Sequence, residues 1–188
     1  MRSALAFAAI VAALAVAAPL ESRAAAFVIG GGQAADCYRE AESARVSPLG
    51  LAVCTSALEN EPLDRRDRAA TFVNRGVIRL HRREGDAALA DFTIAVKLAP
   101  DLAEAFINQG AAYVMVGDAA RAEAALTQGL ALKPSQAHEA FYNRAIAREY
   151  LGDVKGAYLD YLEAQRLAPD WDLPKAELAR FTVSRPGS

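Results

Sequence analysis

The sequence has few of the residues that bind metals or carry out catalysis. Its 188 residues include two cysteines, two histidines and one tryptophan. Neither His81 nor His138 has a cysteine or acidic partner at the spacing of a metal site or a catalytic triad. We therefore expect no enzyme activity, no metal site and no cofactor.

Strong net charge and long apolar runs are also missing. The formal net charge is −2 and the isoelectric point is near 5.7, which argues against a nucleic-acid partner, because that would require a basic face. The apolar run Leu5–Ala18 is shorter than the roughly 20 residues that cross a bilayer. We therefore expect no integral membrane span in the mature chain.

That apolar run has the features of an export signal. Arg2 supplies the positive start and Pro19 follows the run. Small residues allow cleavage after Ala26, and cleavage after Ala17 is the alternative. The sequence thus predicts a signal peptide over residues 1–26, with an uncleaved anchor as the competing interpretation.

A pattern recurs every 34 or 35 residues through the rest of the chain. In each copy a large apolar residue precedes a tiny one by four, two small residues then flank a bulky one, and a proline closes the unit. The copies are Phe72, Gly76, Ala88, Phe92, Ala95, Pro100; Phe106, Gly110, Ala122, Leu126, Gly129, Pro134; and Phe141, Ala145, Ala157, Tyr161, Ala164, Pro169. Such a period is typical of stacked helix hairpins, in which each unit buries its apolar face against its neighbours.

A Gly-Asp pair divides each copy into two helices, A and B. These pairs begin at Gly85, Gly117 and Gly152. Glycine can adopt the left-handed conformation that ends a helix, and aspartate can cap the next helix. We therefore expect a tight turn at each pair.

The pattern resembles the tetratricopeptide repeat family over Ala69–Trp171, although phenylalanine stands where the family usually has tryptophan. The resemblance implies an all-α fold, a right-handed superhelix of antiparallel helix hairpins with a C-terminal capping helix. Its units would be residues 69–102, 103–137 and 138–171, followed by a cap and tail over 172–188. We expect the cap helix to run from Pro174 to about Val183, with Trp171 packing it onto the third repeat or, alternatively, exposed at an interface.

Residues 27–68 are interpreted as a degenerate first hairpin. We expect residues 27–32 to be a flexible lead-in and helices to follow over 36–44 and 48–61. Aligning Pro62 with the closing prolines places Cys37 and Cys54 at positions that face each other across a repeat. The prediction is a Cys37–Cys54 disulfide that staples this hairpin, with two free buried thiols or a redox-active pair as the alternatives.

The resemblance implies that the first helix of each repeat lines a concave groove. One asparagine per repeat falls at the same groove position, namely Asn74, Asn108 and Asn143. A side-chain amide both donates and accepts, so this asparagine ladder could hold the backbone of an extended peptide, or it could bond local water and backbone. The apolar floor of the groove is predicted to be Val73, Val77, Ile107, Ala111, Val114, Tyr142 and Ile146.

Charged residues refine this prediction. Glu104 and Glu139 would repel an acidic peptide tail, so the carboxylate-gripping subclass of the family resembles this chain less. Arginine pairs at 75/79 and 144/148 occur only in the repeats that also carry Asp91 or Asp160. We expect Arg–Asp pairing between helices A and B, with an anion-binding face as the alternative.

Taken together, the sequence predicts a non-enzymatic scaffold that binds a peptide segment or helix of another protein in its groove. Export and a disulfide, together with the resemblance to bacterial repeat proteins, suggest the periplasm and a role in envelope assembly or secretion. One alternative is self-association, with the groove filled by another copy's tail or by the chain's own Phe27–Ile29 segment. A thiol-active envelope protein is the other.

Overall fold

The computed structural model describes residues 6–7, 25–29, 31–43, 48–181 and 183–184. Nine α-helices lie within these residues. They are α1 (Gln33–Glu42), α2 (Pro48–Asn60), α3 (Arg65–His81), α4 (Gly85–Leu98), α5 (Ala103–Met115), α6 (Ala119–Ala131), α7 (Ala137–Tyr150), α8 (Val154–Leu167) and α9 (Asp172–Leu178). Two short strands, β1 (Ala6–Phe7) and β2 (Val183–Ser184), pair antiparallel with Ala6 opposite Ser184. The predicted cleavage site after Ala26 lies within the described residues 25–29, whereas the alternative after Ala17 lies outside the described part.

The helices pack as four consecutive hairpins, α1–α2, α3–α4, α5–α6 and α7–α8, and α9 covers the last one. The first helices of successive hairpins also contact one another, α1 with α3, α3 with α5 and α5 with α7. The predicted all-α solenoid is therefore confirmed. Among the described residues, no helix is long and apolar enough to cross a membrane.

The turn chemistry predicted from the Gly-Asp pairs is correct in two repeats and wrong in one. Gly117 and Gly152 have φ of 82° and 80°, and Asp118 and Asp153 cap the helices that follow. In the first repeat Gly85 instead begins α4. A Cβ on Gly85 would lie 2.7 Å from Val116 Cγ1, so a close contact with the next repeat accounts for this glycine.

The turn between α3 and α4 is made by Arg83, which has φ of 62°. The left-handed conformation is uncommon for a residue with a Cβ. The amide of Glu84 donates to Arg79 O at 2.9 Å across this turn. A hydrogen bond of the helix-ending type therefore holds Arg83 in place without a glycine.

Small residues set the distance between the two helices of a repeat. A Cβ on Gly76 would overlap the ring of Phe92, and one on Gly110 would overlap the side chain of Leu126. Phe92 and Leu126 are both fully buried. The glycines thus let a large side chain of helix B press directly onto the backbone of helix A.

The capping helix is shorter than predicted and ends at Leu178. The chain then turns, and Phe181 packs against Tyr158 and Tyr161 with ring centroids 5.6 and 6.0 Å apart. This return onto α8 explains why the helix does not continue to Val183. Trp171 packs against Tyr142 at 4.9 Å, so its predicted role in docking the cap on the third repeat is confirmed.

Candidate functional site

The inner face of the array, formed by α3, α5 and α7, is more buried than the predicted groove. Val73, Asn74, Val77 and Tyr142 are completely buried. Ile107, Asn108, Ala111 and Asn143 are at most 3% exposed. Val114 and Ile146 alone among the predicted groove residues keep part of their surface. The expectation of an exposed apolar floor is therefore wrong for most of its members, because successive first helices pack on one another and cover the side chains between them.

The three asparagines have different surroundings despite their equivalent positions. Asn108 Nδ2 donates to Glu104 O at 2.8 Å, which is the local backbone contact anticipated as the alternative to peptide binding. Three side-chain atoms have no hydrogen-bond partner among the described residues. They are both polar atoms of Asn74 and the Oδ1 atom of Asn143. An unsatisfied buried polar group costs about 1–3 kcal/mol.

The chain's own N-terminal segment lies against the array beside the start of α3. We call residues 25–29 the N-terminal strap. Ala26 and Val28 are buried whereas Phe27 and Ile29 are 69% and 76% exposed, the alternation of an extended chain lying on a surface. Ile29 N donates to Asp67 Oδ1 at 3.2 Å. The expectation that residues 27–32 form a flexible lead-in is therefore wrong for residues 27–29, because Val28 reaches the core and Ile29 N is hydrogen-bonded to Asp67.

Asp67 shows which face of α3 the strap approaches. The residues at 67, 70, 74 and 77 follow the spacing of one helical face, and this is the face that the sequence assigns to the groove. Ala26 and Val28 belong to the same buried cluster as Val73 and Val77. The strap thus lies beside the start of α3, on the face of the helix that the sequence assigns to the groove.

The N-terminal hairpin is fixed by the predicted disulfide. Cys37 and Cys54 are bonded, and both are completely buried. The Glu61 carboxylate accepts hydrogen bonds from Gln33 N at 2.5 Å and Ala34 N at 3.1 Å, which ties the start of α1 to the end of α2. The expectation of a structural staple agrees with this burial, since thiol exchange requires an accessible sulfur.

The arginine pairs contact aspartate, as predicted, and leave no anion-binding face. Arg75 donates to both oxygens of Asp91 at 3.0 and 2.8 Å, and Arg79 donates to the same carboxylate at 2.8 Å. Arg144 and Arg148 contact Asp160 in the same way at 2.8 to 2.9 Å. We call these two groups the Arg–Asp–Arg clusters. Because the guanidinium groups are committed to buried carboxylates, the alternative of free arginines is wrong.

A hollow of 460 Å³ opens at the C-terminal end of the inner face. It is lined by His138, Glu139, Leu167, Ala168, Pro169, Asp170 and Trp171. Glu139 is 4% exposed, and its Oε1 lies 3.9 Å from His138 Nε2. The imidazole of His138 meets the indole of Trp171 edge to face at 5.4 Å. Sequence reasoning treated His138 and Trp171 separately, since their proximity depends on how α9 is docked.

At the other end of α7 from this hollow, Glu149 links the third repeat to the cap. Its carboxylate accepts from Tyr161 Oη at 3.0 Å and from Arg180 Nη2 at 2.7 Å. Burial first, and then the Glu149 charge, raise the pKa of the Tyr161 hydroxyl far above its usual value. Glu149 is thus committed to structure, unlike Glu104 and Glu139 at the opposite end of the helices.

No protein-family model matches this sequence, and no curated protein is significantly similar to it. Solved structures do match. MamA has a TM-score of 0.64 at 17% identity, covering 80% of this chain and 82% of its own. TTC0263, a thermophilic tetratricopeptide repeat protein of Thermus thermophilus, has a TM-score of 0.63 at 19% identity, covering 78% of each chain.

The chain has the tetratricopeptide repeat fold. The same fold occurs in the second tetratricopeptide domain of human RPAP3, solved in complex with the HSP70 peptide SGPTIEEVD. That domain has a TM-score of 0.58 at 23% identity and covers 62% of this chain and 97% of its own. At these identities the likeness concerns the fold alone.

In this tetratricopeptide array, one set of contacts between repeats was not anticipated from the sequence. Thr55, Thr93 and Thr127 occupy equivalent positions on the second helices. They accept hydrogen bonds at 3.1, 3.2 and 3.2 Å from Arg75, Gln109 and Arg144 of the next repeat. The recurrence of threonine at this spacing is visible in the sequence and could have predicted these contacts. Leu162 takes the equivalent place in the last repeat, where the cap replaces a further repeat.

Proposed function

We propose that this tetratricopeptide array is a non-enzymatic scaffold that binds an extended segment of another protein along the inner face of its second and third repeats. The observation that carries the proposal is the N-terminal strap. An extended segment with alternating buried and exposed side chains already lies against the first part of this face. The array can therefore hold a ligand of that form.

The surface that remains for a partner lies beyond the strap. Glu104, Val114 and Ile146 keep exposed area on α5 and α7, and the hollow beside Trp171 ends the row. We assign direct contact to these residues and a positioning role to the buried members of the predicted set, including Asn74, Asn108 and Asn143. The peptide complex of the RPAP3 domain supports peptide binding as a use of this fold.

A site-specific cross-linking experiment tests this proposal. Val114 and Ile146 would each be replaced by a photoreactive phenylalanine derivative, with Gln128 on the outer helix α6 as the matched control. We expect one protein to be captured from the source cells at both inner positions and to be absent at Gln128. Capture of the same proteins at all three positions would contradict binding at the inner face.

We further propose that the scaffold works in a bacterial envelope, in assembly or secretion, after export. The apolar run Leu5–Ala18 and the buried disulfide support this location, because disulfides persist in oxidising compartments. Burial of Ala26 favours the alternative cut after Ala17, since cleavage after Ala26 would remove a core side chain. N-terminal sequencing of the chain from the envelope fraction should begin at Ala18. A start at Phe27, or the full chain in the cytoplasm, would contradict this.

Self-association is a second candidate, and the strap favours it as well. A strap that leaves its own array could occupy the same face of another copy, which would form a swapped dimer. The molar mass in solution would then rise with concentration, and deletion of residues 25–29 would abolish the rise. A constant monomer mass at all concentrations would rule this candidate out.

A further inference from the structure

We infer that the segment bound on the inner face is anchored by an aromatic side chain that packs on Val116, Tyr150 and Leu151. We call these three residues the turn-edge patch. The inference rests on the proposed function and names one side-chain class of its ligand. It depends on the position, exposure and rigidity of the patch, and on an aromatic contact that the N-terminal strap makes within the chain.

The turn-edge patch continues the inner face at the end where the first helices stop. Tyr150 is the last residue of α7 and follows Ile146 by four positions, so both lie on one side of the helix. Val116 and Leu151 are the residues that end α5 and α7, and these two helices contact each other. A segment that contacts Val114 and Ile146 would therefore meet the patch within about one helical turn.

The patch exposes large apolar side chains to solvent. Tyr150 is 76% exposed, Leu151 46% and Val116 41%. In the first repeat the same helix-ending position is held by Arg82, so the fold does not require an apolar residue there. Single exposed apolar residues are common on any protein, but a set of them along one edge is typical of an interaction surface.

The end of α7 has a fixed conformation. The amide of Asp153 donates to Arg148 O at 2.9 Å, across Gly152, whose φ of 80° closes the helix. The Tyr150 backbone is therefore held before any ligand arrives. A tyrosine in such a position offers a large contact area at a small cost in conformational entropy.

Apolar contact, rather than charge, selects the ligand at this patch. Arg148 and Glu149 precede Tyr150 in the sequence, and both have partners within the protein. Arg148 donates to Asp160 at 2.9 Å, and Glu149 accepts from Arg180 at 2.7 Å. These two charges are therefore already balanced beside the tyrosine.

The strap shows which apolar side chain suits a tyrosine on a first helix. Phe27 is one of the two outward residues of the strap, and its ring meets the ring of Tyr38 on α1 edge to face at 5.4 Å. Such a pair contributes more than the area that it buries. Among the described residues, no aromatic ring contacts Tyr150. It can therefore make with a partner the contact that Tyr38 makes with Phe27.

Peptide binding followed by NMR tests the inference. The probe is a blocked peptide with the strap sequence Ala-Ala-Phe-Val-Ile, followed by two lysines for solubility. In the control peptide cyclohexylalanine replaces phenylalanine, which keeps a bulky apolar side chain and removes its aromatic ring. With the full-length ¹⁵N-labelled protein we expect the amide signals of Val116, Tyr150 and Leu151 to shift. The phenylalanine peptide should bind roughly two- to tenfold more tightly than the control peptide.

Variants locate the effect. In Tyr150→Ala the preference for phenylalanine should fall to near one, whereas Tyr150→Phe should retain it. Leu151→Ala should weaken the binding of both peptides. The matched control is Leu132→Ala, because Leu132 ends the outer helix α6 and is 39% exposed, and this variant should bind both peptides as the natural chain does. All three positions are exposed, so we expect each variant to fold.

Four results would overturn the inference. The first three are equal affinities for the two peptides, a preference that survives in Tyr150→Ala, and no shift at the patch at millimolar peptide. The fourth is a set of shifts confined to the start of α3, which would indicate exchange with the strap instead. None of these decides the proposed function, since capture at Val114 and Ile146 does not require an aromatic residue in the ligand.

Discussion

The first and third repeats hold their two helices together with a buried charge cluster, and the second repeat does not. Asp91 and Asp160 are 1% and 4% exposed, and each binds two arginines. The second repeat has Gln109, Tyr113 and Ala125 at the same three positions. Its hairpin nevertheless packs as closely as the other two.

This difference separates what the fold requires from what it tolerates. A small residue opposite a large one occurs in all three repeats, so the close approach of the helices is the common requirement. Each repeat has either all three charged residues of the Arg–Asp–Arg cluster or none of them, because a single buried charge without its partners would cost several kcal/mol. The clusters therefore stabilise a hairpin whose geometry is set by the packing of small residues against large ones.

The largest expected effect comes from breaking one cluster. Asp160→Ala leaves Arg144 and Arg148 without their buried carboxylate and should lower the free energy of unfolding by about 3 to 4 kcal/mol, measured by urea denaturation. The matched control is Asp101→Ala, which removes the exposed pair with Arg66 and should change stability by less than about 1 kcal/mol. Equal losses in the two variants would contradict a special role for the buried cluster.

Removing the disulfide tests the N-terminal hairpin, α1–α2. The bond joins residues 17 apart, and a Cys37→Ala/Cys54→Ala variant should lose about 3 kcal/mol in the chain-entropy model. Hydrogen exchange should show the loss of protection in α1 and α2, while α7 and α8 stay protected. A uniform loss across all helices would show that the hairpin does not unfold as a separate unit.

A smaller effect is expected when one of the small residues between the helices is enlarged. In Gly76→Ala the added Cβ would overlap the fully buried Phe92 ring. Overpacking costs about 1–3 kcal/mol, and the gain in helix propensity returns about 1 kcal/mol. The net loss should be about 1 kcal/mol in thermal denaturation. Gly31→Ala is the control, because a Cβ there meets nothing within 4 Å. A stabilised Gly76→Ala variant would show that the Phe92 ring can move aside.

The smallest effect is expected when the second repeat receives the missing cluster. The triple variant Gln109→Arg/Tyr113→Arg/Ala125→Asp should differ from the natural chain by about 1 kcal/mol or less, because buried ion clusters roughly balance their desolvation cost. Ala125→Asp alone should be destabilised by about 2 kcal/mol or more. If the triple variant is no more stable than the single one, the second repeat does not share the geometry of its neighbours.

Much of the fold is determined by local sequence. The recurring spacing of Gly76, Phe92 and their equivalents specifies helix hairpins, since each side chain needs a fixed neighbour within its own repeat. The same reasoning predicts the Cys37–Cys54 bond and the contacts of Asp91 with Arg75 and Arg79. These interactions join residues fewer than twenty positions apart within one hairpin, where helical periodicity alone places the partners.

The tertiary structure decided which of these residues can meet a partner. The sequence places Val73, Val77 and the asparagines on the inner face, but only the packing of successive first helices shows that they are buried. The strap reaches Asp67 across 38 positions, and Trp171 meets His138 only because of how the cap is docked. Such contacts depend on how whole repeats stack and on where the two ends of the chain pack against them. The pattern within one repeat carries no information about surfaces that distant segments cover.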